Sequence, residues 1–289
     1  MKKCILLSMD QLDDFECYDS LTIEPLSELG WQAEEISWRD KQVDWNDYDA
    51  VIIRSPWDYQ DHSEEFLSVL EKINQSKAVL ANSLETIKWN INKNYLSELS
   101  VQGVLIVPTL WQQKYSDNQI DEAFEHFDTK ELIIKPCISA NADDTFRLSK
   151  SDTDIEDQKL ERLFNNREFM LQPFMPSVIN EGEFSLFFFN SEYSHTILKK
   201  PKSDDFRVQE EHGGQLTKIE PESSLLETAK NALSKLPQTT LYARLDFVRL
   251  DNQFALMEAE LIEPSLYFNM DKDSPARFAK AFVAFMESV

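Results

Sequence analysis

Glycine and cysteine are both scarce in this chain, which has five glycines and three cysteines among its 289 residues. The cysteines are Cys4, Cys17 and Cys137. An odd number of widely spaced thiols argues against a disulfide framework or a zinc site. The four histidines have no metal-ligand spacing either. We therefore expect reduced thiols and a cytoplasmic protein.

Basic residues are in the minority as well, with 29 lysines and arginines against 52 acidic residues and a formal net charge of −23. The field of such a protein repels phosphate, which argues against nucleic-acid and anionic-membrane partners. Apolar runs are short, and none approaches the roughly 18 residues that a membrane helix needs. Residues 1–10 end in an acid after a short apolar run, so they predict a strand rather than a signal peptide. Any anionic ligand must meet a local basic pocket.

The chain does have the composition of a folded protein, with 42% hydrophobic and 11% aromatic residues. Its length suits two or three packed units. In the first part, short apolar segments alternate with amphipathic helical ones, which predicts a small parallel sheet over residues 1–82. The predicted strands are 3–8, 31–37, 50–54 and 78–81, and the predicted helices are 18–29 and 62–75.

Two further units follow in this interpretation. Residues 83–172 predict a mixed unit of helices and strands, and residues 173–289 predict a strand-rich unit that closes with a helix. The predicted fold class is therefore α/β, with α+β character in the C-terminal half. The predicted helices are 83–103, 119–128, 154–165, 223–235 and one from residue 274; the predicted strands are 104–108, 132–135, 169–172, 183–190, 194–200, 241–248 and 254–261.

The last two predicted strands flank the turn pair Asp251-Asn252 and form a predicted hairpin that carries three carboxylates. Glu258 and Glu260 share one face of their strand because side chains alternate along it. Asp246 on the partner strand is the natural third member. Such a cluster of oxygens suits Mg²⁺, which is usually held by a few carboxylates together with nucleotide phosphates. A solvated acidic face is the alternative.

Several basic residues lie at positions where they could bind an anionic ligand beside these acids. Lys135 ends an apolar strand, where a charge is costly unless it has a purpose or reaches out to solvent. Lys199 ends another strand and Arg207 follows it, so both are candidate clamps for phosphate or carboxylate. Gly213 and Gly214 are adjacent, which either lets an anion approach the backbone closely or makes a plain turn.

Taken in order, these motifs resemble the ATP-grasp superfamily of carboxylate–amine ligases over essentially the whole chain. Residues 242–247, Tyr-Ala-Arg-Leu-Asp-Phe, are similar to an element of D-alanine–D-alanine ligases. Residues 258–264, Glu-Ala-Glu-Leu-Ile-Glu-Pro, match the Glu-x-Asn and following proline of glutathione synthetases. The resemblance is to the glutathione synthetase and ribosomal-protein glutamate-ligase branch, and in particular to the ATP-grasp ligases that form the D-cycloserine ring.

This resemblance implies an ATP-grasp fold in three parts. Residues 1–82 would form an N-terminal Rossmann-like pre-ATP-grasp domain. Residues 83–172 would form the central ATP-grasp subdomain with its linker helix, and residues 173–289 the C-terminal ATP-grasp subdomain. Residues 137–145 occupy the place of the glycine-rich lid of relatives, although this loop contains no glycine.

The resemblance also implies roles for individual residues. The cofactors would be ATP and Mg²⁺, with Mn²⁺ as a substitute. The magnesium ligands would be Asp246, Glu258 and Glu260, the last at a position where many relatives have asparagine. The catalytic cations would be Lys199, Arg207 and Arg244. The nucleotide-binding residues would be Lys93, Lys135, Gln172, Phe174, Glu183 and Lys199.

The implied reaction moves the γ-phosphoryl group of ATP to a substrate carboxylate, after which an amine or similar nucleophile attacks the acylphosphate. ADP and phosphate leave. No side-chain nucleophile is needed, in agreement with the lack of a Gly-x-Ser-x-Gly or Cys and His signature. The alternatives are an ATP-grasp kinase of a small molecule and a non-catalytic nucleotide-binding protein.

Candidates for substrate binding come from both ends of the chain. Arg54 and Trp57 follow a strand end in the first unit, where ligands of open α/β sheets usually bind. They either hold the substrate or pack between units. The other candidates are Arg207, Gly213, Gly214, Glu263 and Ser265, with His212 beside the glycines. The partners would be a small-molecule carboxylate and an amine, whose identities the sequence does not indicate. The sequence also leaves the oligomeric state open, and a homodimer is one possibility.

Overall fold

The computed structural model describes the whole chain except residues 14, 117, 140–141, 152 and 204, and for residues 153–158 it describes the backbone alone. Within the described residues the chain forms three β-sheets that follow one another along the sequence. This mixture of sheets and helices agrees with the predicted α/β class. The domain bounds at residues 82 and 172 stay predictions.

The first sheet is parallel throughout, and its strand order is β2-β1-β3-β4. The central strand β3 is buried along its whole length, as expected for a parallel strand with both faces covered. The predicted parallel unit is therefore present. Its strands are β1 (Lys2–Ser8), β2 (Trp31–Ser37), β3 (Ala50–Ser55) and β4 (Val79–Ala81), and its helices are α1 (Ile23–Glu28) and α2 (Ser63–Gln75).

Two short helices, α3 (Leu84–Asn90) and α4 (Tyr95–Val101), replace the single helix predicted over 83–103. The helix breaks because the Asn92 side chain accepts a hydrogen bond from the Asn94 amide at 3.0 Å. The Lys93 amide meanwhile donates to the Cys137 carbonyl at 2.8 Å. The break therefore ties Lys93 to the second unit instead of leaving it on a helix face.

The second sheet is antiparallel, with the strand order β5-β8-β6-β7. Its edge strands β5 and β7 have three and four residues, and sequence patterns did not predict them because such short segments show no clear alternation. The strands are β5 (Leu110–Gln112), β6 (Glu131–Pro136), β7 (Phe146–Ser149) and β8 (Phe169–Pro173), and the helices are α5 (Gln119–His126) and α6 (Thr153–Phe164).

The third sheet is also antiparallel, with the strand order β11-β10-β9-β12-β13. It contains the predicted acidic hairpin as β12 and β13. Its strands are β9 (Glu183–Phe189), β10 (Glu192–Lys200), β11 (Gln215–Ile219), β12 (Tyr242–Leu250) and β13 (Gln253–Glu260), and its helices are α7 (Pro176–Asn180), α8 (Ser223–Leu233) and α9 (Ser274–Ser288).

The strand predicted over 104–108 is an irregular segment that lies beside β13. It pairs with the sheet through one parallel bridge between Ile106 and Leu256, which consists of two backbone hydrogen bonds. The Leu256 amide donates to the Leu105 carbonyl at 2.8 Å, and the Val107 amide donates to the Leu256 carbonyl at 3.1 Å. This segment covers the edge of β13, which would otherwise expose unpaired backbone groups.

A buried asparagine joins the first sheet to the hairpin of the third. The Asn82 side chain donates to the carbonyls of Tyr242 and Leu261 at 3.0 and 2.8 Å and accepts from the Leu241 amide at 2.6 Å. Each polar atom of this fully buried amide is therefore satisfied. No helix in the described part of the chain is long and apolar enough to cross a membrane.

Candidate active site

A cavity is lined by side chains from the second and third sheets, from the segment after β3 and from the α3–α4 break. Most of the residues that the sequence singled out border it. These are Trp57, Lys93, Lys135, Gln172, Phe174, Glu183, Lys199, Arg207, Arg244, Asp246, Glu258, Glu260, Glu263 and Ser265. Arg54, Gly213 and Gly214 are not among the residues that border it.

Asp246 lies at the centre of a buried ionic network on the third sheet. Arg244, two residues before it on the same face of β12, binds it with an Nη2–Oδ2 distance of 3.0 Å and also contacts Glu260. Lys199 on β10 lies 3.6 Å from Asp246 and 2.5 Å from Glu183. Desolvation opposes ionisation of Asp246, but the charges of Arg244 and Lys199 outweigh it and lower the pKa of Asp246.

The acids of β13 reach the cavity with the help of a β-bulge. Asp246 is opposite Glu258, but the next pair is Phe247 with Leu256, so Met257 is the extra residue. Bulges of this kind re-aim side chains near active sites. Met257 and Glu258 accordingly both line the cavity, and Glu258 binds the Lys93 ammonium at 3.1 Å.

The carboxyl group of Glu260 is the least favourably placed of the three predicted metal ligands. Burial raises its pKa, the charges of Glu258 and Asp246 raise it further, and Arg244 opposes the shift. Among the described residues, no group of three or more His, Cys, Asp or Glu side chains is arranged to hold a metal ion. This is compatible with Mg²⁺, which seldom has a cage made only of protein ligands.

Lys135 is the basic group of the cavity that lacks a counter-ion. None of the described residues forms an ion pair or a side-chain hydrogen bond with its ammonium group. Burial lowers the pKa of Lys135, while Glu258 raises it and the neighbouring Lys93 lowers it further. A cation in such a position is available to an anionic ligand, and its binding of the nucleotide stays a prediction.

The other end of the cavity is formed by the last residues of β8 and by apolar groups around them. Gln172 is buried and donates to the Thr109 hydroxyl at 2.8 Å. The Phe174 ring carries the Arg147 guanidinium 3.8 Å from its centroid. Ile133, Val107 and Met257 add apolar surface, which makes this end suitable for a flat, uncharged ring.

The loop over 137–145 contributes Ser139, Ala142 and Thr145 to the wall. The Lys93 ammonium donates to the Ser139 carbonyl at 2.6 Å, which connects this loop to the α3–α4 break. Ala140 and Asn141 of the same loop lie outside the described residues.

Arg54, a predicted substrate ligand, has its partners inside the protein. Arg54 is 1% exposed; its Nε binds Asp19 at 3.0 Å, and its Nη2 donates to the Pro264 carbonyl at 2.7 Å. The guanidinium also lies 5.0 Å from the centroid of the Tyr242 ring. With its donors used inside the protein, Arg54 joins the first sheet to the segment after β13. Trp57, by contrast, does line the cavity.

The adjacent glycines also have a structural explanation. A Cβ atom on Gly214 would lie 2.0 Å from the Val208 carbonyl oxygen, so glycine is needed for this close approach. Gly213 has φ +81° and ends a short 3₁₀ turn of residues 210–212, where His212 lies. Neither glycine borders the cavity. Arg207 does border it, although in this structure the guanidinium binds Asp205 at 3.0 Å.

Sequence reasoning missed two tyrosines of the cavity wall. Tyr59 is 4% exposed and packs against Phe66 with the two rings tilted by 33°, and Tyr267 is 6% exposed with an unusual φ of +44°. A positive φ in a bulky residue is a form of local strain that often marks a functional site. A tyrosine three residues after Pro264 carries no sequence signal of this conformation.

The matches with known proteins agree with this geometry. A model of the N-terminal domain of D-cycloserine synthetase DcsG matches residues 4–82. The cycloserine biosynthesis protein DcsG of Streptomyces lavendulae is 29% identical over 249 residues, which cover 81% of this chain and 82% of that protein. The crystal structure of D-cycloserine synthetase DcsG superposes with a TM-score of 0.87 at 27% identity, over 98% of this chain and 99% of that one.

The chain is an ATP-dependent ligase with an ATP-grasp fold. D-alanine–D-alanine ligase from Bacillus anthracis shares the fold of this ligase with a TM-score of 0.70 at 13% identity, over 100% of this chain and 98% of that one. The ATP-grasp ligase PsnB also shares this fold, with a TM-score of 0.68 at 17% identity over 98% of this chain and 99% of that one. The predictions of an ATP-grasp fold and of an ATP-dependent ligase that forms C–N bonds are confirmed, in preference to a kinase or a non-catalytic protein.

Proposed function

We propose that this ligase uses ATP and Mg²⁺ to convert a small-molecule carboxylate into an acylphosphate and then joins it to an amine. The observation that carries the proposal is Lys135. Its ammonium group faces a cavity rich in carboxylates and has no counter-ion among the described residues. A half-buried cation without an ion pair is destabilising unless a bound ligand supplies an anion to pair with it. A nucleotide phosphate is such an anion.

The nucleotide would lie between the second and third sheets. Its adenine would occupy the apolar end beside Gln172 and Phe174. Lys93 and Lys135 would contact the phosphates, and Glu183 would accept hydrogen bonds from the ribose hydroxyls. In the present network Glu183 binds Lys199 at 2.5 Å, so the nucleotide would share this carboxylate with that lysine.

The residues of the hairpin fit magnesium by their chemistry. Asp246, Glu258 and Glu260 are oxygen donors that line one cavity on paired strands, and their mutual repulsion contributes to the raised pKa of Glu260. A divalent cation would relieve that repulsion. Mg²⁺ bound by these carboxylates would neutralise charge on the ATP phosphates during transfer. Mn²⁺, another oxygen-binding divalent ion, is expected to substitute.

The cations of the third sheet would act on the transferred group. Arg244 is held in place by Asp246 and Glu260, and Lys199 by Glu183 and Asp246, so neither has to reorganise as charge develops. They would stabilise the phosphoryl oxygens while a carboxylate oxygen of the substrate attacks the γ-phosphorus and ADP leaves. The amine then attacks the acyl carbon, the C–O bond breaks and phosphate departs with that oxygen.

The similarity to D-cycloserine synthetase guides the choice of substrates. That structure matches the chain along nearly its whole length. We infer that carboxylate and amine belong to small molecules and that ring closure within one molecule is the first reaction to try. The free thiols Cys4, Cys17 and Cys137 are compatible with the cytoplasmic location that we expect. A homodimer stays a prediction.

A panel of carboxylates and amines, including a precursor of D-cycloserine-type rings, tests the proposal through ATP-dependent phosphate release. The wild type should release phosphate with one combination, and Asp246→Asn and Glu258→Gln should be slower by at least about 100-fold. Glu227→Gln, on the exposed face of α8, is the matched control. If the wild type binds no Mg-nucleotide, or if the two variants match its rate, the proposal is wrong.

A further inference from the structure

Glu168 lies directly before β8 and is not among the residues that border the cavity, yet its side chain holds the α3–α4 break. Its Oε2 atom accepts hydrogen bonds from the Asn92 side chain at 2.9 Å and from the Asn94 side chain at 3.3 Å. The two asparagines stand on either side of Lys93, which does line the cavity. Glu168, Asn92 and Asn94 therefore form a clamp around that lysine.

The backbone makes the same connection as the clamp. The Cys137 amide donates to the Glu168 carbonyl at 3.0 Å, and the Lys93 amide donates to the Cys137 carbonyl at 2.8 Å. Cys137 comes directly after β6, two residues beyond Lys135. A chain of hydrogen bonds thus runs from Glu168 to Lys93 through the end of β6, and it brings the two lysines of the cavity wall together.

The clamp opposes a repulsion between these lysines. Lys93 is 6% exposed, and its ammonium group lies 2.6 Å from the Ser139 carbonyl and 3.1 Å from Glu258. Burial lowers the pKa of Lys135 and the charge of Lys93 lowers it further, because the two ammonium groups repel each other. A flexible lysine side chain also loses rotamer freedom when it is held in one place. A fixed backbone at the break keeps Lys93 directed into the cavity against both effects.

We propose that Glu168 is a positioning residue for nucleotide binding, which acts through Asn92 and Asn94 to hold the Lys93 ammonium against the phosphates of ATP. This inference rests on the proposed function, in which Lys93 contacts those phosphates, and it adds a residue outside the cavity on which that contact depends. Glu168 itself touches neither ATP nor substrate. Its effect on binding should therefore disappear when Lys93 is replaced.

Glu168→Ala removes the acceptor that both asparagines share. Its affinity for a non-hydrolysable ATP analogue with Mg²⁺ should fall by about tenfold, because a displaced ammonium group meets the phosphates less well. Its affinity for adenosine, which has no phosphate, should stay within about twofold of the wild type, since Lys93 does not contribute to the apolar end of the cavity. Calorimetric titration measures the analogue, and competition against it measures adenosine. Glu161→Ala, at an exposed position of α6, is the matched control and should change neither affinity.

A double-mutant cycle with Lys93→Met separates positioning from general damage to the fold. Lys93→Met alone should weaken binding of the ATP analogue by about 10- to 100-fold, and adding Glu168→Ala should weaken it by less than about twofold more. General damage would lower the affinity equally in both backgrounds. Glu168→Gln keeps a carbonyl oxygen that can accept both hydrogen bonds, so it should retain most of the wild-type affinity.

Asn92→Ala opens the clamp from its other side and should reproduce the loss, which gives a second test if Glu168→Ala does not fold. Wild-type affinity for the ATP analogue in these two variants would overturn the inference. An equal loss with and without Lys93, or a parallel loss of adenosine binding, would overturn it as well. If Lys93→Met binds the analogue like the wild type, the proposed contact of Lys93 with ATP is wrong and this inference falls with it. That failure is distinguishable from the others because it appears in a protein whose Glu168 is intact.

Discussion

Tyr95 and Ala259 exchange two hydrogen bonds. The Tyr95 hydroxyl donates to the Ala259 carbonyl at 3.0 Å and accepts from the Ala259 amide at 2.8 Å. The Asn90 side chain also bonds to this backbone: it donates to the Ala259 carbonyl at 2.8 Å and accepts from the Leu261 amide at 3.0 Å. Helices α3 and α4 thereby fix the backbone on both sides of Glu260.

Tyr95→Phe removes only the hydroxyl of this contact. Both buried Ala259 groups would lose a partner, so we expect the free energy of unfolding to fall by about 1–3 kcal/mol. We also expect kcat to fall, since Glu258 and Glu260 flank Ala259 and would be less well placed. Urea unfolding and steady-state phosphate release measure the two effects. Tyr193→Phe, whose hydroxyl contacts Thr196 far from these acids, is the control and should keep kcat. Wild-type kcat in Tyr95→Phe would contradict this positioning role.

Lys135→Met should separate nucleotide binding from stability. The methionine cannot meet a phosphate, so affinity for an ATP analogue should fall by about 10- to 100-fold. Because the unliganded protein carries this charge without a counter-ion, its thermal midpoint should be equal to or above that of the wild type. Calorimetric titration and thermal melts without nucleotide check both. Lys130→Met, at an exposed position just before β6, should change neither. A marked loss of thermal stability in Lys135→Met would show that the charge has an internal partner.

Much of the fold was predictable from the sequence because short stretches of it carry clear strand, helix and turn signals. Strands such as β1 and β3 each contain a run of four apolar residues, and Gly30 and Gly103 follow helices at the predicted places. The acidic hairpin followed from the alternation in β13 around the Asp251-Asn252 turn. Lys93 followed only from the resemblance to ATP-grasp ligases, since alone it is an ordinary lysine, whereas Lys135 was already a candidate because it ends an apolar strand. Both reach one cavity.

What the sequence did not reveal depends on contacts between distant segments. Arg54 was predicted to bind substrate because its actual partners could not be recognised from the local sequence. These partners, Asp19 and Pro264, lie 35 and 210 residues away along the chain. The position of Lys93 in the α3–α4 break depends on its hydrogen bond to Cys137 in the second unit, and the bulge at Met257 depends on the pairing of β12 with β13. Local propensity carries no information about such contacts.

Arg54→Met should destabilise the protein without impairing substrate binding. It would leave the buried Asp19 carboxylate without its partner, which costs about 3–5 kcal/mol. We expect a large loss in urea unfolding and an unchanged KM for the carboxylate in protein that remains folded. Arg39→Met breaks the partly exposed ion pair with Asp58 at 2.8 Å and should cost under about 1 kcal/mol. A rise in KM for Arg54→Met beyond that for Arg39→Met would restore Arg54 as a substrate ligand.

His195 should make the protein sensitive to mild acid. Its ring is buried, stacks on Phe187 at 4.3 Å and contacts the Leu266 carbonyl at 3.2 Å. Burial lowers the pKa of His195 from 6.5 to about 4, although Asp271 raises it. Arg277 and Lys218 face it and lower the pKa as well.

The lowered pKa determines the direction of the effect. The unfolded state takes up the His195 proton below about pH 6.5, whereas the folded state does so only near pH 4, so stability falls as the pH drops between these values. Between pH 7 and 4.5 the wild type should lose about 2 kcal/mol more than His195→Gln in urea unfolding. Equal losses in the two proteins would mean that His195 does not control this transition.

Transfer of oxygen from the carboxylate to phosphate tests the activation step most directly. A substrate whose carboxylate carries ¹⁸O is converted in unlabelled water, and the released phosphate is analysed by mass spectrometry. Because the acylphosphate breaks at its C–O bond when the amine attacks, each phosphate should contain one ¹⁸O atom. Phosphate without ¹⁸O, with product formed at the same rate, would contradict activation of the carboxylate by phosphoryl transfer.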